Sequence, residues 1–118
     1  MAITMVVFDP DGMLPPSVER EIGADVVLIR LTRISEVLQL GHEAAVLVLV
    51  AGHDDAAGLG FLAATGELRG TRLVLVASDA RRQRRVLIRA VRRSAVLVIE
   101  QPPSALVSCL RDDPVPCA

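Results

Sequence analysis

The chain has no lysine, no tryptophan and no tyrosine, and only two of its residues are aromatic, Phe8 and Phe61. Without lysine there can be no Schiff base, no phosphate-binding loop ending in Gly-Lys-Ser/Thr and no lysine neutralising a phosphoryl group. With so few aromatics, the core must come from Val, Leu, Ile and Ala, and no ring stands near an expected loop to stack on a flavin. Cysteine is almost as scarce. Cys109 and Cys117 are too few for a disulfide framework or a four-ligand zinc centre, so a reducing, cytoplasmic setting is expected. No apolar run approaches the roughly 20 residues that span a bilayer. The segment Met1-Ala2-Ile3-Thr4-Met5 has no basic stretch ahead of it and does not read as a secretion signal.

What is present is apolar and segmented. Hydrophobic residues make up 52% of 118, enough for one domain core and not for two domains. Five short runs rich in β-branched residues, at 3–8, 26–31, 45–50, 73–77 and 95–99, read as strands. Their apolarity is continuous rather than alternating, which marks strands covered on both faces, as in a parallel sheet between helices. Arg30 interrupts the second run and suits an edge.

Helix signals fill the gaps. Pro15 and Pro16 precede a segment at 17–22 that Gly23 ends. Thr32 or Ser35 caps a helix to Leu40, stopped by Gly41. Asp54 or Asp55 caps the next, to about Gly66. Ser78 or Asp79 caps one to about Arg93, and Pro102 with Pro103 opens a last helix through Arg111. Residues 1–111 therefore read as a single α/β domain and 112–118 as a tail. Five β/α units in strict alternation predict a three-layer, doubly wound, five-stranded parallel sheet in the flavodoxin-like order 2-1-3-4-5. Such sheets work at the carboxyl ends of their strands, here residues 9–12, 51–55, 77–79 and 100–102.

Three segments resemble a response-regulator receiver domain. Gly58-Leu59-Gly60-Phe61-Leu62 is similar to the opening of a receiver's third helix, and Leu73-Val74-Leu75-Val76-Ala77-Ser78 to its fourth strand with a terminal Ser or Thr. Gln101-Pro102 is similar to its Lys-Pro step. The resemblance implies a pocket with a phosphoacceptor Asp and an acidic pair for Mg²⁺. It also implies a Ser or Thr and a Lys on the phosphoryl oxygens. Carried over, the acceptor position is Val50, the acidic pair is Phe8 and Asp9, and the Lys position is Gln101; only Ser78 is kept. Asp54 and Asp55 come too late to substitute and read as helix caps. The expectation is a pseudo-receiver that does not accept phosphate and acts by binding another protein in a signalling pathway.

A shorter stretch, Val6-Val7-Phe8-Asp9-Pro10-Asp11-Gly12-Met13-Leu14, is similar to the first motif of haloacid-dehalogenase-like phosphatases. That resemblance implies Asp9 as nucleophile and Asp11 as general acid beside Mg²⁺, with Ser78 as the phosphate-binding residue. Met13 stands where the motif has Thr, and the family's Lys and second acidic motif are missing. The other reading of Asp9-Pro10-Asp11-Gly12 is a turn. No dinucleotide Gly-x-Gly-x-x-Gly is present, His42 and His53 are isolated in sequence, and no cofactor or metal is expected.

Charge is distributed unevenly. Residues 1–60 hold nine acids and three Arg; 61–118 hold five acids and ten Arg. Seven of those ten lie in 81–93. At helical spacing Arg81, Arg85, Arg89 and Arg92 form one stripe, with Val86, Leu87, Ala90 and Val91 on the buried side. Arg81 and Arg82 in a first helical turn cost about 0.3–1 kcal/mol against the helix dipole, which calls for a compensating acid or anion. The stripe reads either as a solvated face or as a docking surface for an acidic protein, another copy of this chain included. Net charge of −1 and the lack of aromatics disfavour nucleic acid, and no membrane association is expected.

Overall fold

A computed structural model describes residues 3–14, 16–66, 71–77, 79, 81–92 and 96–99, with the side chains of His42 and of 96–99 excepted. Among the described residues up to Arg92, four strands and four helices alternate: β1 Ile3–Phe8, α1 Pro16–Glu21, β2 Val26–Leu31, α2 Ile34–Leu40, β3 Val46–Val50, α3 Asp55–Ala64, β4 Arg72–Ala77 and α4 Arg84–Arg92. A single 3₁₀ turn, Gly41–Glu43, carries α2 toward β3. The strands are parallel in the order 2-1-3-4. This α/β architecture is compatible with a flavodoxin-like fold. No helix of the described residues is long and apolar enough to cross a membrane.

Strand pleating sorts the apolar side chains into two layers. Met5, Val7, Val46, Val48, Val50 and Val74 share one face with Leu14, Val18 and Ile22 of the α1 region. Val6, Phe8, Leu47, Leu49 and Leu75 turn to the other face, where α2, α3 and α4 supply Val37, Phe61, Leu62, Val86 and Ala90. Burial on both faces is why β3 and most of β1 are continuously apolar, whereas the edge strand β2 is only partly covered. Arg30 lies on β2 at the edge of the sheet, opposite Val7 in the ladder.

Local signals were followed unevenly. Asp54 is the residue that caps α3, its carboxylate accepting the Ala56 N–H at 2.9 Å. Neither Thr32 nor Ser35 caps α2; its N-cap is Arg33, in extended backbone and without a side-chain bond. The fourth helix begins at Arg84, later than sequence spacing predicts, because Asp79 caps a preliminary turn and accepts the amides of Arg81 and Arg82. Asp79 thus places its carboxylate on the backbone amides at this end. Two placements on the helix need correction. Val91 is 58% exposed, not buried, because the inward stripe of α4 runs through Gln83, Val86 and Ala90. Arg81 stands in the turn and is not on the helix.

Helix packing places one glycine under steric demand. A Cβ at Gly58 would meet Val86 Cγ2 of α4 at 2.9 Å. Val86 is buried and stiff at χ1, so a larger side chain would push the helices apart. Gly58→Leu is therefore expected to cost about 1–3 kcal/mol despite its better helix propensity. A fall in urea midpoint at unchanged slope checks it.

Candidate functional site

The carboxyl ends of β1, β3 and β4 form the crevice where such sheets work. Phe8 lies opposite Leu49 in the ladder, so one further step brings Asp9 level with Val50. Val50 is 3% exposed and packs in the apolar layer with Val46 and Val48. Val50 is thus an interior hydrocarbon.

Asp9 is 1% exposed and fully engaged. Its Oδ1 accepts the Met13 amide and its Oδ2 the Leu14 amide, both at 2.9 Å. Arg30 Nη1 donates to the same Oδ2 at 3.3 Å and to the Leu14 carbonyl at 3.2 Å. Glu19 closes the cluster, with Oε1 2.6 Å from Arg30 Nη2. The Gly12 amide bonds back to the Asp9 carbonyl at 3.3 Å, and Gly12 takes a φ of 64°, a left-handed conformation that favours glycine. The segment from Asp9 to Gly12 is a turn, and the carboxylate holds the loop that leads to α1.

Asp11 points the other way, to the β3–α3 loop. Its Oδ2 accepts the His53 amide at 2.7 Å, and the carboxylate fills the space that a Cβ at Gly52 would need. The two aspartates thus serve different loops. Asp9 braces its own, and Asp11 clasps the neighbouring one. Beside them, Arg82 Nη1 lies 3.3 Å from His53 Nδ1. Among the described residues no group of three His, Cys, Asp or Glu side chains is placed to hold a metal ion.

A buried glutamine joins the fourth helix to this end of the sheet. Gln83 is 3% exposed; its Nε2 donates to the Ala51 and Gly52 carbonyls at 2.8 and 3.2 Å, and its Oε1 accepts the Asp79 amide at 3.0 Å. In the sequence Arg30 stands only as an interruption of an edge strand, and Gln83 and Glu19 drew no role from it. Gln83 had a signal: it precedes Val86, Leu87 and Ala90 by three, four and seven residues, which places it on the inward face.

Of the remaining positions, Arg85, Arg89 and Arg92 lie along α4, and Asp54 serves as a cap. Ser78, Gln101, Arg93, Cys109, Cys117, the helix expected from Pro102 to Arg111 and the tail at 112–118 lie outside the described residues, as does the side chain of His42. No protein-family model matches this chain, and no curated protein matches it.

Proposed function

We propose that this chain is a receiver-like domain that does not accept phosphate and serves as a protein–protein interaction module in signalling or regulation. One observation carries the reading: where a receiver keeps its acceptor and metal-binding acids, this chain has buried Val50 beside an Asp9 carboxylate committed to two amides and Arg30. Phosphoryl transfer needs an accessible carboxylate and a cation to neutralise the transferred group. A nucleophilic Asp9 would have to break these bonds first, which weighs against the phosphatase alternative using Asp9 and Asp11.

The complete receiver-like sheet belongs to the same proposal. Val96–Ile99 lies parallel to β4, with Val74 opposite Val96 and Ala77 opposite Ile99, which supports a fifth strand and the order 2-1-3-4-5.

Incubating the protein with acetyl phosphate and Mg²⁺ should leave its intact mass unchanged, and beryllofluoride should leave its amide spectrum unchanged. A stoichiometric acyl phosphate on any aspartate would refute the proposal. Hydrolysis of a generic phosphate ester, saturable in Mg²⁺ and abolished by Asp9→Asn, would replace it with the phosphatase reading.

A further inference from the structure

We propose that the groove between α3 and α4 docks an acidic amphipathic helix of a partner protein. The inference rests on the reading of the chain as an interaction module and supplies its partner's chemistry. The groove has a volume of about 460 Å³; Leu59, Gly60, Leu62 and Ala63 form its floor, and Arg89 and Arg92 its rim. It runs on into a second depression of about 340 Å³ between Leu59, Arg85, Ile88 and Arg89. Leu59 and Arg89 line both, so the two form one trough along α4.

The trough follows from sequence. Gly58 draws α3 against Val86 of α4, while Gly60, which also lines the groove, has Ile34 of α2 at 3.0 Å from where its Cβ would stand. Apolar side chains remain uncovered alongside: Ile88 is 45% and Val91 58% exposed. Among the described residues, the cations beside them also have no acidic partner. The helix Arg84–Arg92 contains no acid, and none of Arg85, Arg89 and Arg92 makes an ion pair among the described residues.

These features specify the occupant. Arg85, Arg89 and Arg92 stand at i, i+4 and i+7, a span of roughly 10 Å over two helical turns. Carboxylates with the same repeat occur on one face of a helix, and guanidinium groups pair with them bidentately. The apolar floor requires that the ligand also carry aliphatic side chains at helical spacing, as helix-in-groove recognition does.

A second copy of this chain fits less well. Pairing of two such grooves about a two-fold axis sets arginine against arginine. Glu19 and Glu21 belong to α1, which packs on the opposite face of the sheet from α4. An α4-to-α1 contact is therefore heterologous and leads to a ring or an open chain rather than a two-fold dimer.

The test uses the whole chain and a synthetic helical peptide of about 14 residues, four turns, with Leu at positions i, i+4, i+7 and i+11, Glu flanking them and one terminal Trp. The protein contains no Trp, so the emission reports the peptide alone. Saturable binding is expected, weakened at least tenfold when the peptide's Glu are replaced by Gln. The same loss is expected with Ala63→Arg, which fills the trough from an exposed helical position, and separately with Arg85→Glu plus Arg89→Glu. Arg20→Glu on α1 should leave affinity unchanged, and raised salt should lower it.

Absent saturation, equal affinity for the Glu and Gln peptides, or indifference to both sets of groove variants would overturn the proposal. So would dimerisation in sedimentation velocity that Ala63→Arg abolishes, which would give the trough to a second copy. Acetyl phosphate applied to the same preparation separates the two readings, since an acyl phosphate would refute the non-phosphorylatable module without touching the groove.

Discussion

Asp9→Ala is expected to lower the unfolding free energy by about 2–5 kcal/mol. The substitution leaves the Met13 and Leu14 amides without their acceptor, and an unsatisfied buried polar group costs about 1–3 kcal/mol. Arg30 adds less, because its side chain is 27% exposed and keeps Glu19. Asp9→Asn should lose less than Asp9→Ala, since an amide oxygen can still accept one of the two backbone bonds. Asp11→Asn, at an exposed carboxylate that accepts one amide, should lose under about 1 kcal/mol. Urea unfolding of the three variants checks the order, with the midpoint falling and the slope held. An Asp9→Ala variant as stable as wild type would mean that the loop is held by other bonds, and the carboxylate would again be free for chemistry.

That contrast shows how far the sequence could be read. The strands were legible because burial on both faces leaves continuous β-branched runs, and composition alone reports that. The start of β4 was not: Arg72 pairs opposite Val46 through its backbone, a pairing that hydropathy does not register. The α2 cap misled for a related reason. Capping residues were available at Thr32 and Ser35, yet the chain enters the helix through an extended Arg33.

The candidate site was legible in its residue types and not in their roles. Counting along the chain singled out Val50, and the register of β1 with β3 brings it level with Asp9. That Asp9 is consumed by its own loop depends on two backbone amides and on an arginine 21 residues away. Neither is encoded in a local motif. The same Asp-Pro-Asp-Gly string would serve a phosphatase if the first carboxylate faced solvent. Arg30 was seen as an interruption of an edge strand; its partner Asp9 stands just beyond the end of β1, two residues past the Val7 that faces it.

Phe61→Ala is expected to be the most damaging single truncation, at about 3–5 kcal/mol. The chain's only two aromatic rings lie against each other, with centroids 5.3 Å apart and planes inclined by 7°. Phe61 is fully buried and Phe8 nearly so, within the layer that includes Leu47, Leu49, Leu75 and Val86. No other side chain in that layer matches a phenyl ring in area, so the void would be lined by aliphatic groups already fixed by strand and helix backbone. A domain of this size has roughly 5–15 kcal/mol in all, so the loss approaches the whole margin. Phe61→Leu keeps most of the volume and should cost much less. Pairing it with Phe8→Leu in a double-mutant cycle should reveal about 0.5–1.5 kcal/mol for the ring contact itself. Far-UV circular dichroism in urea is the suitable probe, because the chain has no Trp or Tyr to follow by fluorescence. The consequence reaches the groove. Phe61 anchors α3 to β1 through Phe8, while Leu59, Leu62 and Ala63 of the same helix form the groove floor. Peptide affinity should therefore fall with Phe61→Leu even where the domain stays folded. A variant that lost stability but kept full affinity would place the positioning of α3 elsewhere, in its close approach to α4 at Gly58.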